Sequence, residues 1–314
     1  MTAPRHLFGP VPSRRLGRSL GIDLTPRKLC CEDCVFCQIG PTTTHTLERR
    51  EWVDTAAVLA EFDAWAAAGG EADYATLSGY GEPTLHTRFG DVLRHARDRG
   101  FKTALLSNGG LMHLPEVRRD AAASADIVKV TLSAWNEDSF RRLHRPALGL
   151  TFERLLEGEQ ALRDIHPGKL WVEVMLVRGV NDAPEQVEAI ADAVATLRAD
   201  AVHLNTLTRP SLSQDGLHRV SEAWLHTIAP WFTPVAEVPA FKGKAESPLD
   251  MTDDALMELL VRHPLSVAAW AKAAGIAPDA LEARLAPLAA AGRVAYETDD
   301  SVRMVRAAVP SPFA

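Results

Sequence analysis

Cys30-Cys31-Glu32-Asp33-Cys34-Val35-Phe36-Cys37 holds all four cysteines of a 314-residue chain. The stretch follows a short apolar run, Gly21–Leu24, that reads as a strand, so the thiols fall on the loop leaving it. A disulfide framework would scatter its cysteines, because a bridge between distant residues constrains the unfolded chain most. Four thiols crowded together, in a chain whose start lacks the continuous apolar run of a secretory signal, point to metal binding and a cytoplasmic location.

Thiolates are soft ligands suited to iron–sulfur clusters or zinc. Cys30, Cys34 and Cys37 have the spacing C-x3-C-x2-C, which supplies three ligands to a four-iron cubane and leaves one iron open. The overlapping frame through Cys31 resembles part of a ferredoxin run, but the chain has no further cysteine to complete it. Four thiolates could instead make a structural zinc site, although adjacent Cys30 and Cys31 are poorly placed to ligate one ion together; unligated thiols are the remaining reading. The three-ligand cluster fits best, with Cys31 a bystander.

Outward from the loop, short apolar or β-branched runs alternate with amphipathic stretches. Strands are expected at Gly21–Leu24, Tyr74–Ser78, Lys102–Ser107, Ile127–Leu132, Trp171–Leu176 and Ala201–Asn205. Helices are expected at Asp54–Ala68 with Asp54 as N-cap, Phe89–Arg99, Asp138–Leu143, Thr151–Ile165 and Pro184–Leu197. Six strand-then-helix units imply a parallel sheet with right-handed crossovers. A closed eight-fold barrel wants about 250 residues, so this is an α/β chain forming a partial (β/α)6 TIM-like barrel over residues 1–245. Pro210 to Lys244 has weaker periodicity and is expected across the barrel's side or mouth, where Lys242 and Lys244 could approach. Residues 251–308 change character. Helical patterns at Thr252–His263, Ser266–Ala274 and Pro278–Ala291, then a hairpin of Arg293–Glu297 and Val302–Arg306, predict a C-terminal winged-helix domain.

Composition narrows the function classes. No run of apolar residues approaches the ~18–20 needed to span a bilayer. The net charge of −7 gives no general attraction to polyanions. From Met251 to Ala308, eight acidic residues face six Lys and Arg, and the expected recognition helix begins Pro278-Asp279. A DNA reader would place basic side chains there. A redox-sensing winged-helix regulator of DNA is the alternative to an enzyme, and substrate docking or self-association is the better reading of the module.

The cysteine loop, with an aromatic before its last cysteine and a serial β/α chain around it, resembles the radical S-adenosylmethionine superfamily over roughly residues 8 to 240. Leu77-Ser78-Gly79-Tyr80-Gly81-Glu82-Pro83-Thr84 is similar to the family's Gly-Gly-Glu-Pro segment, and Ser107-Asn108-Gly109 to its Thr-Asn-Gly-like strand end. Leu132-Ser133-Ala134 places a hydroxyl where the family often contacts ribose. Met175–Asp182 loosely resembles its adenine motif, with Met175 and Asp182 departing from the pattern. The resemblance implies a [4Fe–4S] cluster on Cys30, Cys34 and Cys37, and S-adenosylmethionine contacts from Phe36, Gly79, Gly81, Glu82, Asn108, Ser133, Val177 and Asn205. It implies reductive cleavage to a 5′-deoxyadenosyl radical, and an electron donor such as flavodoxin or ferredoxin.

Phe8–Gly17 and Val202–Pro210 look like a subgroup grouped with wyosine-type tRNA-modifying enzymes, which makes RNA modification one expectation and a small molecule or peptide substrate another. Those enzymes carry a second cluster on upstream cysteines, and residues 1–29 here have none, so their pyruvate-condensing reaction is not carried over. Arg14, Arg15 and Arg18 are candidates to face an anionic substrate. Tyr80 and Cys31 are the candidate second hydrogen donors. His203, His218, Trp224 and Trp231 carry no assignment beyond core or surface.

Overall fold

The computed structural model describes residues 6–13, 15–26, 28–207, 216–239, 249, 251–253, 256, 257, 260, 265–299 and 302–308. Leu7–Ser13 (β1) and Gly17–Ile22 (β2) form an antiparallel pair, and the two-residue strands Leu29–Cys30 (β3) and Thr44–His45 (β4) pair in parallel beside the cysteine loop. Strand and helix then alternate. Thr55–Ala67 (α1), Tyr74–Leu77 (β5), Phe89–Asp98 (α2), Lys102–Leu106 (β6), Pro115–Ser124 (α3) and Ile127–Thr131 (β7) come first. Glu137–His144 (α4), Phe152–Ile165 (α5), Lys169–Arg178 (β8), Pro184–Ala195 (α6) and Ala201–Thr206 (β9) complete the series.

The strands β2, β5, β6, β7, β8 and β9 run parallel in sequence order, the six-strand arrangement expected of a partial barrel. Two additions make the sheet mixed. The antiparallel β1 extends one edge beyond β2, and His218–Arg219 (β10) pairs antiparallel with Val177 and Arg178 at the end of β8. The first strand also lies earlier than its apolar run suggested, at Gly17–Ile22 rather than Gly21–Leu24.

Alternation along each strand separates two faces. On β7, Val128 and Val130 join the main core with the helices, whereas Ile127 packs with Leu16 and Ala104 in a small cluster on the opposite, concave face. Asp54 caps α1 as expected, accepting from Ala56 N at 3.0 Å. Asn136 and Ser139 form a reciprocal capping box at the start of α4. Left-handed Arg145 (φ 44°) ends α4, and the freed carbonyls of Leu143 and His144 accept from Val35 N and Asp33 N, both at 2.9 Å. Helix termination thereby clips the cysteine loop to the body of the fold.

Glu222–Ile228 (α7) follows β10, and β9's outer edge meets Glu237. Beyond them, Leu265–Ser266 (β11), Val267–Ala274 (α8), Pro278–Ala290 (α9), Val294–Asp299 (β12) and Val302–Ala307 (β13) form a compact unit with strand order β11-β13-β12. Its core of Trp270, Leu281, Leu285 and Val305 also takes in Val11 of β1. Most of the expected Thr252–His263 helix, together with Arg14, Lys242 and Lys244, lies outside the described residues. No helix among the described residues is long and apolar enough to cross a membrane.

Candidate active site at the carboxyl ends of the strands

The turn after β5 meets the segment after β2. Gly79 has φ +145°, and a Cβ there would lie 2.2 Å from the Asp23 carboxyl carbon. Asp23 cannot swing aside freely, because its carboxylate accepts from Thr25 N (3.1 Å), Thr25 Oγ1 (2.8 Å) and Tyr80 N (3.0 Å). Gly81 has a different reason. Glu82 N donates to Leu29 O at 2.9 Å, and that contact brings the chains so close that a Cβ on Gly81 would sit 1.7 Å from the same oxygen. Glycine is required at both positions for backbone approach.

Glu82 is buried and knits two strand ends. Its Oε1 accepts from Thr84 N (3.1 Å), Thr84 Oγ1 (2.6 Å) and Ser107 Oγ (2.8 Å), and its Oε2 from Asn108 N (2.7 Å). Burial raises its pKa, with these hydrogen bonds working the other way. Asn108 then reaches the thiols, its Nδ2 lying 3.5 Å from Cys30 Sγ and 3.3 Å from Cys31 Sγ.

Each expected ligand thiol has a partner from a different element. Cys30 has Asn108 from the end of β6. Cys34 Sγ lies 3.2 Å from Glu32 Oε2 and 3.6 Å from His144 Nδ1 at the end of α4, and these two side chains are 2.9 Å apart. Cys37 Sγ lies 3.0 Å from the Nζ of buried Lys28. Burial pushes the Cys34 thiol up, reinforced by Glu32. Burial opposes the Lys28 charge, but Cys37, Cys30 and Cys34 outweigh it and raise its pKa. Cys31 differs: fully buried, it belongs to the hydrophobic core and abuts Gly110, and its pKa is raised by its hydrogen bond with Cys30 and by burial.

The donor set fits a [4Fe–4S] cluster. Three soft thiols share one loop, and a thiolate-bound cluster is net anionic, so the buried Lys28 cation and the Asn108 and His144 nitrogens suit its sulfurs. Glu32, Cys34 and His144 also place three ligand atoms within 4.8 Å of one another. That trio shares Cys34 with the expected ligand set, and Glu32 and His144 are the two side chains turned to its thiol.

The remaining expected contacts form a second group. Ser133 is fully buried, and its Oγ accepts from Met175 N at 2.8 Å. Val177 N donates to Asn181 Oδ1 (2.8 Å), whose Nδ2 donates to Met175 O (2.9 Å) and Ser133 O (3.1 Å). Asn205 Nδ2 donates to Glu173 Oε1 at 3.0 Å. Phe36 packs edge-on against His144 with ring centres 5.3 Å apart. Tyr80 is buried. Arg15 and Arg18 part company: Arg15 turns inward to Glu173 (2.5 Å), whereas exposed Arg18 pairs with Glu71 (3.1 Å). Asp23, Lys28, His144 and Asn181 escaped sequence reasoning. Asp23 and Lys28 had a signal, being charged residues in an apolar run and beside the first ligand; His144, 110 residues from Cys34, had none.

Residues 25–194, more than half of the chain, match the family model of the radical SAM superfamily, and the chain belongs to that superfamily. Its cofactors are a [4Fe–4S] cluster and S-adenosylmethionine. A UPF0026 protein of Helicobacter pylori is 35% identical over 226 residues, 68% of this chain and 72% of that protein. An S-adenosyl-L-methionine-dependent tRNA 4-demethylwyosine synthase of Pyrococcus horikoshii is 28% identical over 115 residues, 36% of this chain and 33% of that protein. The structure of TYW1 with a lysine–pyruvate adduct bound shares the fold, with a TM-score of 0.52 at 18% identity over 72% of this chain and 76% of that one. The chain spans 39% and 64% of the lengths of the first two curated relatives it matches.

Proposed function

We propose that the protein is a radical S-adenosylmethionine enzyme whose cluster is held by Cys30, Cys34 and Cys37. The observation that carries this is the set of groups turned to the loop's thiols, Lys28 at Cys37, Glu32 and His144 at Cys34 and Asn108 between Cys30 and Cys31, with Cys31 alone of the four packed in the hydrophobic core. When bound, the cluster supplies the electron that cleaves S-adenosylmethionine to a 5′-deoxyadenosyl radical, which takes a hydrogen atom from the substrate. Lys28, Asn108 and His144 offset or orient the ligand thiols. Gly79 and Gly81 let the turn close on Asp23 and Leu29, which sets Glu82 beside the cysteine loop, and Glu82 Oε2, which accepts from Asn108 N, would offer an acceptor for the cofactor's ammonium. Ser133, Val177, Asn205 and Phe36 would supply the remaining contacts to the cofactor in this reading. A reduced flavodoxin or ferredoxin is the electron donor in this reading.

The C-terminal unit is read as a winged helix used for docking or self-association, since its α9 begins with the acidic Asp279. The test is anaerobic reconstitution followed by turnover with dithionite in deuterium-labelled cell extract, divided into RNA and small-molecule pools. Four irons per chain and deuterium in 5′-deoxyadenosine are expected, and the pool that donates the label separates a tRNA substrate from a small one. Bound zinc without 5′-deoxyadenosine refutes the reading.

A further inference from the structure

The concave face of the sheet holds a charged group one step down the strands from Ser133, Met175 and Asn205. Glu173 on β8 pairs with Lys129 Nζ (2.8 Å) and Arg15 Nη2 (2.5 Å), and accepts from Asn205 Nδ2 (3.0 Å). The side chains of all three charged residues are largely buried. Burial opposes the Glu173 charge, but Lys129 and Arg15 hold its carboxyl well below the usual range. Arg15 also lines a cleft of about 430 Å³ at the opposite end of the strands, walled by Trp171 and His203 packed edge to face at 5.1 Å.

We propose that this cleft binds a small organic monocarboxylate, with the carboxylate seated on Arg15 and a planar or apolar body against Trp171 and His203. Among the described residues, the buried group sets two cations, Arg15 and Lys129, against the one carboxylate of Glu173, and Arg15 is its member that lines the cleft. A surplus buried charge is unfavourable unless a counter-charge joins it. One negative charge balances the group, and a dianion overshoots. Arg15 Nε is buried and has no hydrogen-bond partner among the described residues, so a donor is ready for such an anion. The rim leaves this count unchanged: Lys169, Asp200 and Glu237 are exposed, and Asp200 is held by Arg163 (2.7 Å) and Leu170 N (2.7 Å). Met175 and Asn205 continue the same face of β8 and β9 toward the strand ends that carry the cofactor contacts. As a statement about the enzyme's substrate, this rests on the radical reading above; as a binding site, it does not.

The experiment is calorimetric titration of the cluster-free full chain at fixed ionic strength with benzoate, benzamide and inorganic phosphate. Saturable benzoate binding is expected, with benzamide at least tenfold weaker and phosphate no better than chloride. Arg15→Gln and Lys129→Met each weaken benzoate at least tenfold. Glu173→Gln, which raises the surplus by one charge, makes phosphate the preferred ligand. Equal binding of benzoate and benzamide, unchanged affinity in both cation variants, or no change of preference in Glu173→Gln overturns the proposal. Circular dichroism checks each variant's fold; should Lys129→Met fail to fold, Arg15→Gln and the near-isosteric Glu173→Gln carry the test. Because no cluster is needed, failure here leaves formation of 5′-deoxyadenosine as an independent judgement on the radical reading.

Discussion

Gly79→Ala should break the turn after β5 by a route that can be dissected. The added Cβ falls 2.2–2.5 Å from the three atoms of the Asp23 carboxylate, and φ +145° is itself strained for alanine. The strain alone costs about 1–3 kcal/mol. Relieving the clash means moving Asp23 off Thr25 N, Thr25 Oγ1 and Tyr80 N, three hydrogen bonds of about 1 kcal/mol each. The expected loss is therefore about 4–6 kcal/mol, a large share of a native stability of about 5–15 kcal/mol. Urea unfolding at constant m-value measures it. In an Asp23→Ala background the clash and the three bonds are already gone, so the same substitution should cost only the backbone strain, a coupling of about 3 kcal/mol. A loss under about 1 kcal/mol, or the same loss in both backgrounds, refutes the account of why glycine stands here.

Three further outcomes follow from the site. Both carboxylate oxygens of fully buried Glu159 lack partners among the described residues, and burial raises its pKa well above the ordinary carboxylate value, with Glu32 adding to the effect. A raised carboxyl binds its proton more tightly folded than unfolded, so stability falls as pH rises above the unfolded value. Glu159→Met should then stabilise the protein at pH 7 by about 1–3 kcal/mol, with the gain shrinking as pH drops toward the unfolded carboxylate value and levelling off below it in thermal unfolding across pH. Asn181→Ala removes three hydrogen bonds joining Ser133, Met175 and Val177 and should cost about 2–4 kcal/mol by urea unfolding, with weaker S-adenosylmethionine binding by calorimetry. Lys28→Met removes the cation beside Cys37 and should lower the reconstituted cluster's midpoint potential in an electron paramagnetic resonance titration; an unchanged potential would show that Lys28 does not act on the cluster.

The parallel strands were legible because their residues are buried on both faces, so β-branched and apolar runs stand out between helical periods. β1 was not. It carries Gly9, Pro10 and Pro12, residues that argue against a strand, and it is tolerated because, among the described residues, it lies at the sheet edge and pairs only with β2. The helix α3 was missed for another reason: its buried face is Val117, Ala121 and Ser124, too small and polar to print an apolar stripe. The cysteine loop stood out from spacing alone because its thiols are close in sequence. Their partners could not, since Asn108 and His144 reach Cys30 and Cys34 only through strand and helix ends brought together by the fold. Likewise, Lys129 and Glu173 read as ordinary strand residues until alternation placed them on the concave face.

Glu82 explains why such distant pieces must stay in register. One buried carboxylate accepts from the turn after β5 through Thr84 and from the end of β6 through Ser107 and Asn108 N, while the Glu82 backbone N holds Leu29, the residue before the first ligand. Asn108 in turn sets its side-chain amide against Cys30. A slip of β5 against β6 would therefore displace both the Gly79–Gly81 turn and the nitrogen facing a ligand thiol. The parallel sheet is the device that prevents this, because four consecutive residues of β5 are paired with both β2 and β6. Rigid strands fix the strand ends, the strand ends fix Glu82 and Asn108, and these fix the surroundings of the cysteine loop. The geometry that a cluster and its ligand would need is thus set by sheet register before either binds, the condition under which a site loses least conformational freedom on loading.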